Sequence, residues 1–184
     1  MLSLLCNILT AVLALGAVFA HAKRRPISVL LRYFTVQSNL FCAAASIAVA
    51  AMRLLGQRWI PVLVLKYVGT VAVTVTLLTV VFFLSRQYGF KVLLTGPDLW
   101  LHLVCPALAL VSWLGWDRVT MPAAAALLGV LPVVLYGTLY LRKVVFDNRW
   151  EDFYGFNQNG RWRVSFLVMA LATAVLSLLL WAAA

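Results

Sequence analysis

Residues 61–84 read PVLVLKYVGTVAVTVTLLTVVFFL, a long apolar run whose single charged side chain is Lys66. A helix needs about 20 mostly apolar residues to cross the hydrocarbon layer of a bilayer, and this run is long enough. Five further stretches qualify, at residues 2–20, 38–55, 98–116, 120–141 and 164–184. The fold class this implies is all-α: a polytopic integral membrane bundle of six transmembrane helices, forming one domain over residues 1–184.

Composition agrees. The chain of 184 residues is 65% apolar, and its five acidic residues, Asp98, Asp117, Asp147, Glu151 and Asp152, lie at or between the apolar runs. The formal net charge of +10 raises the question of nucleic acid. The fifteen Lys and Arg residues, however, are scattered in short clusters flanked by apolar sequence, which fits a membrane surface rather than nucleic acid as the partner. Cys6, Cys42 and Cys105 are odd in number and lack CxxC spacing, which argues against a disulfide framework or a zinc site. Metal ligands and cofactors are not expected, since His21 and His102 fall in different segments. Ala20-His21-Ala22 imitates a cleavage site, but Lys23, Arg24 and Arg25 follow the first apolar run instead of preceding it, so a retained first helix is expected.

The connections carrying Lys23, Arg24, Arg25, Arg32; Arg86, Lys91; and Arg142, Lys143, Arg149, Arg161, Arg163 hold most of the basic residues, against Arg53, Arg58 and Arg118 on the other side. Basic residues are retained on the cytoplasmic side. Loops one, three and five are therefore expected in the cytoplasm and both termini outside, in a bacterial inner membrane. Lys66 is expected to snorkel toward the outer headgroups, and Trp59, Trp100, Trp113, Trp116 and Trp181 to mark the interfaces. The runs Ala43-Ala44-Ala45 and 123–126 suit close helix packing.

With few ionisable groups, two polar clusters stand out. Thr35, Gln37, Ser38 and Asn39 gather where the second segment begins, and Thr35, Ser38 and Asn39 share a face if that stretch is helical. Asp98, His102 and Cys105 share a face of the fourth segment. A threonine hydroxyl needs a base before it can attack, and histidine is the usual one. Thr35 with His102 would satisfy that need, with Asn39, Gln37 or Ser38 orienting an oxyanion or the substrate. A threonine bonding its own preceding turn and an interfacial histidine explain the same residues, and spacing leaves both readings open.

The stretches Phe34-Thr35-Val36-Gln37-Ser38-Asn39 and Leu101-His102-Leu103-Val104-Cys105-Pro106, with the six-segment organisation, resemble the androgen-induced and androgen-dependent TFPI-regulating membrane proteins and their six-helix bacterial relatives. The resemblance implies an intramembrane threonine hydrolase without a cofactor, cleaving fatty acid esters of hydroxy fatty acids with Thr35 as nucleophile and His102 as base. A membrane lipid would be the substrate. A related acyltransferase group uses Cys and His, which makes Cys42 and Cys105 alternative nucleophiles. A non-enzymatic scaffold and a small-molecule transporter are the competing readings. In the fifth connection, at residues 142–163, aromatics could cover an apolar cavity while Arg149 or Arg161 holds a fatty carboxylate; the same aromatics suit an interfacial loop.

Overall fold

The protein is described by a computed structural model over residues 1–183. Six helices are long and apolar enough to cross a membrane: α1 (Leu2–Ala22), α2 (Phe34–Leu54), α3 (Ile60–Tyr88), α4 (Pro97–Asp117), α5 (Ala125–Phe146) and α6 (Trp162–Ala182). Single helical turns at Ile27–Leu30 and Phe90–Leu93 lie in the first and third connections. Among the described residues there is no strand. The fold is thus the all-α six-helix bundle expected, and the chain is an integral membrane protein.

Several helix ends differ from the sequence-based expectation, each for a local reason. The second helix begins at Phe34 rather than at residue 38, because Tyr33 is extended (φ −95°, ψ 129°) and the first turn is capped from outside the segment, as described below. The fifth begins at Ala125 rather than at residue 120. Pro122 supplies no N–H to helix α5, although its carbonyl accepts the Ala125 N–H at 2.8 Å. Helix α5 runs on through a widened turn at Arg142–Phe146, so Arg142 and Lys143 belong to helix, not loop. The sixth expected segment extends to Ala184, which lies outside the described residues.

Up-and-down connection places the first, third and fifth loops at one end of the bundle, and the second and fourth at the other. At one end, Tyr136 Oη donates to the Arg32 carbonyl at 2.7 Å and Tyr88 Oη to the Phe153 carbonyl at 3.2 Å, tying the first connection to α5 and the end of α3 to the fifth connection. At the other, Arg118 donates to the Ala183 carbonyl at 3.0 Å and Trp181 Nε1 to the Met121 carbonyl at 2.9 Å. The basic residues of the three odd loops therefore collect at one end, with Arg53, Arg58 and Arg118 at the opposite one.

Small residues set the closest approaches, as association in lipid requires. A methyl on Gly69 would come within 3.1 Å of Cys42 Cα, and one on Gly129 would collide with Ser177 Oγ. Two expectations are corrected in this core. Trp113 is not interfacial: it is fully buried, packs tilted against Tyr67 at 5.2 Å between ring centroids, and donates Nε1 to the Leu180 carbonyl at 3.2 Å. Lys66 does not snorkel. Its side chain is 0% exposed, and its Nζ donates to Ser46 Oγ at 2.9 Å. Helix α2 packs along this face of α3 and encloses the amine, which leaves it no route to the headgroups.

The end opposite the basic loops is held by one carboxylate. Asp117 is 0% exposed and accepts from Ser3 Oγ at 2.6 Å, Asn7 Nδ2 at 2.8 Å, Ser112 Oγ, and Arg53 Nη2 at 3.3 Å. It thereby ties α1, α2 and α4. Removing one member of a buried ion pair costs about 3–5 kcal/mol, and Arg53 is partly exposed, which places Asp117→Ala at the lower end, about 3 kcal/mol. Thermal unfolding in detergent should show a clear fall in midpoint for Asp117→Ala and a smaller one for Asp117→Asn, which keeps the shape and part of the bonding.

Candidate functional site

The first N–H groups of a helix have no partner within it. In α2 the N–H of Phe34 is donated to Tyr154 Oη at 3.0 Å, so a tyrosine 120 positions away caps the helix that carries Thr35. Tyr154 is itself placed by the fifth loop. Asp152 Oδ1 accepts from Tyr140 Oη at 2.9 Å and from the Phe156 N–H at 2.8 Å, and its Oδ2 accepts from the Asn157 N–H at 2.7 Å. The Tyr154 N–H is donated in turn to Tyr140 Oη at 3.1 Å. Around this frame Phe153 packs tilted against Tyr33 at 4.6 Å between ring centroids, and Phe34 against Tyr136 at 5.1 Å.

Behind these aromatics lies a cavity of about 490 Å³ between α3, α5 and α6, within the 300–1,000 Å³ usual for small-molecule sites. Its walls are mainly apolar, including Val75, Val133, Val168 and Met169. Tyr154, Phe156 and Arg161 of the fifth loop cover one end, where Thr35 also reaches the wall. Thr35 differs from its peers: the buried Ser and Thr hydroxyls elsewhere bond a preceding-turn carbonyl or a side chain of another helix, whereas the Thr35 hydroxyl bonds no backbone carbonyl and has a loop phenol as its neighbour. It faces the Tyr154 phenol and the cavity.

The other expected site residues are placed unequally. Asn39 Nδ2 donates to the Thr35 carbonyl at 2.8 Å and to the Leu101 carbonyl at 3.0 Å, so one amide clips α2 to α4 beside Thr35 and His102. His102 lies in a widened turn, Trp100–Val104, which arises because Pro106 has no N–H for the His102 carbonyl. Its Nδ1 is 2.7 Å from the Leu93 carbonyl. A carbonyl only accepts, so Nδ1 carries the proton and Nε2 presents a lone pair. No hydrogen bond joins His102 to Thr35, and His102 is not on the cavity wall. Ser38 Oγ donates to the Thr35 carbonyl at 3.2 Å and lies 3.0 Å from Thr76 Oγ1, which clips α2 to α3.

Gln37 Nε2 turns to the Leu31 carbonyl at 2.7 Å, and the Asn39 amide hydrogens serve two carbonyls, so neither offers a donor beside the Thr35 hydroxyl. Cys42 packs against Gly69, Val73 and Ala109, and Cys105 against α1; neither reaches the cavity. Arg161 reaches it, while Arg149 is exposed elsewhere. Three residues that build the site were not anticipated: Tyr136, Tyr140 and Asp152. The four-residue spacing of the two tyrosines on one face of α5 is the signal that could have found them.

Among the described residues, no group of three His, Cys, Asp or Glu side chains is arranged to hold a metal ion. Comparisons with protein-family models, curated proteins and solved structures return no match.

Burial pushes the Tyr154 phenol up to about 12 from its ordinary value of 10.0, against the opposing effect of the Phe34 N–H that it accepts. A group whose folded value is raised contributes stability that is complete below its unfolded value and is lost as pH climbs through the folded one. Unfolding midpoints in detergent should therefore hold up to about pH 10 and fall between about 10 and 12. Tyr154→Phe should lose this alkaline component and cost about 1 kcal/mol below it, the usual worth of one hydrogen bond.

Proposed function

We propose that the chain is an intramembrane hydrolase of acyl esters, with Thr35 as nucleophile and His102 as general base. The observation that carries this reading is the Thr35 hydroxyl on the wall of an apolar cavity inside the bundle, beside the Tyr154 phenol and bonded to no backbone carbonyl. Two further features support it. Asn39 holds the helices of Thr35 and His102 together at the level of both residues, and the His102 tautomer leaves Nε2 free to accept a proton. The two short motifs that resemble the androgen-induced and androgen-dependent TFPI-regulating proteins carry these same residues.

The acyl chain lies in the cavity with its ester carbonyl beside Thr35. Thr35 Oγ1 attacks the carbonyl carbon while its proton passes to His102 Nε2. The tetrahedral intermediate collapses, the alkoxide of the leaving alcohol takes that proton, and an acyl-threonine remains. Water then attacks the acyl group, His102 again accepting and returning the proton, and the fatty acid departs with Thr35 restored. His102 must close on Thr35 for this, as catalytic contacts do when substrate tightens a resting site. Arg161, at the covered end, suits a carboxylate on the substrate. The basic end, which includes this site, faces the cytoplasm of a bacterial cell under the rule for Lys and Arg.

The test is intact mass after incubation with a fluorophosphonate probe in detergent. The parent chain should gain one adduct and Thr35→Ala none. His102→Ala should label about 10²–10⁴ times more slowly, the usual worth of a general base. A folded parent chain that gains no adduct would turn the reading to a non-enzymatic scaffold.

A further inference from the structure

Helices α1 to α4 enclose a second set of buried polar groups, which the proposed hydrolysis leaves unused. On α2 they recur at three-, four- and seven-residue intervals, Asn39, Cys42, Ser46 and Arg53, and so share one face. Lys66, Thr70 and Thr74 follow at four-residue steps on α3, Ser3, Asn7 and Thr10 lie on α1, and Ser112 and Asp117 on α4. Apart from Arg53, every one of these is less than a tenth exposed. Together they form a column from the His102 end of the bundle to the Asp117 end.

Helix association alone explains some of it. Thr10, Thr70 and Thr74 bond the carbonyls four residues back and would be neutral members of any membrane core. Three features are not of that kind. Lys66 is 0% exposed, donates to Ser46 Oγ at 2.9 Å, and has no carboxylate within 4.0 Å among the described residues. An ionisable side chain inside a membrane segment is costly, and such residues mark ion and proton routes. Asn7 Oδ1 and Asn39 Oδ1 are buried with no donor. An unmet buried acceptor costs about 1–3 kcal/mol, and bridging water is the ordinary remedy in a polar interior.

The column also ends on charge at both faces. Arg53, 31% exposed, meets Asp117 at one end. At the other, beyond His102, His21 Nε2 stands 3.2 Å from Asp98 Oδ1, with side chains 23% and 39% exposed. Between these ends the groups facing Lys66 are Ser46 and Cys42 of α2.

We propose that this column is a proton pathway across the membrane, with Lys66 as its central relay. A proton entering past one charged pair binds the Lys66 amine and leaves toward the other pair, with Ser46 and water bridging to the Asn39 and Asn7 oxygens. No bond other than N–H and O–H is made or broken, and the charge carried is balanced by a counter-ion crossing the bilayer.

The full chain, reconstituted in phosphatidylcholine vesicles holding a pH-sensitive dye, is driven by a potassium gradient with valinomycin. The parent should move protons faster than protein-free vesicles. Lys66→Met should fall to the protein-free rate, Ser46→Ala should be slowed, and the surface variant Lys143→Met should match the parent. Folded parent protein that conducts no faster than empty vesicles overturns the proposal, as does Lys66→Met conducting like the parent. If Lys66→Met does not fold, Lys66→Gln takes its place under the same two outcomes. No ester is present in this assay, so its result is independent of probe labelling at Thr35.

Discussion

Hydrocarbon offers no hydrogen-bond partner, and every polar group inside this bundle must therefore find one within the chain. The arrangement of the helices follows from that constraint. The Asn39 amide satisfies two carbonyls on two helices, the Asp117 carboxylate gathers donors from three, and Tyr154 closes the open N–H at the start of α2. Each of these side chains joins elements far apart in sequence, and each takes the place of water that the bilayer excludes. Where the rule is met sparingly, at the Thr35 hydroxyl and at Lys66, or left unmet, at the Asn7 and Asn39 side-chain oxygens, the molecule has groups available for chemistry.

These exceptions fall into two regions. Helices α1 to α4 pack closely around a polar column, with small residues such as Ala14, Ala43 and Gly69 drawing the backbones together. Helices α5 and α6 stand further out, and α6 is the least buried of the six. The cavity lies where α3 leaves the tight region and meets this looser pair. Thr35 belongs to both regions, since its carbonyl is held in the α2–α4 clip and its hydroxyl reaches the cavity. The fifth loop seals that boundary through residues 152–161, built on a single aspartate.

The six-helix organisation, the clustering of basic residues at one end, and Thr35 and His102 as polar residues at that end were all legible in the amino-acid order. Long apolar runs and cationic loops are local properties, and the solvent acts on them directly. The start of α2 was not legible, because its cap comes from a loop 120 residues away. Lys66 was misjudged because snorkelling depends on which neighbour lies beside the stem, and only the packing of α2 decides that. Trp113 was misjudged similarly, its indole N–H being taken by the Leu180 carbonyl of α6.

The sequence by itself determined that this chain crosses a membrane six times, since that outcome depends only on how far each segment's apolar length exceeds the cost of burying its backbone in lipid. Which polar side chains became partners and which were left free was decided by tertiary structure alone. A hydrogen bond depends on distance and direction between groups such as Asn39 and Leu101, 62 positions apart, and no pattern along the chain encodes that geometry.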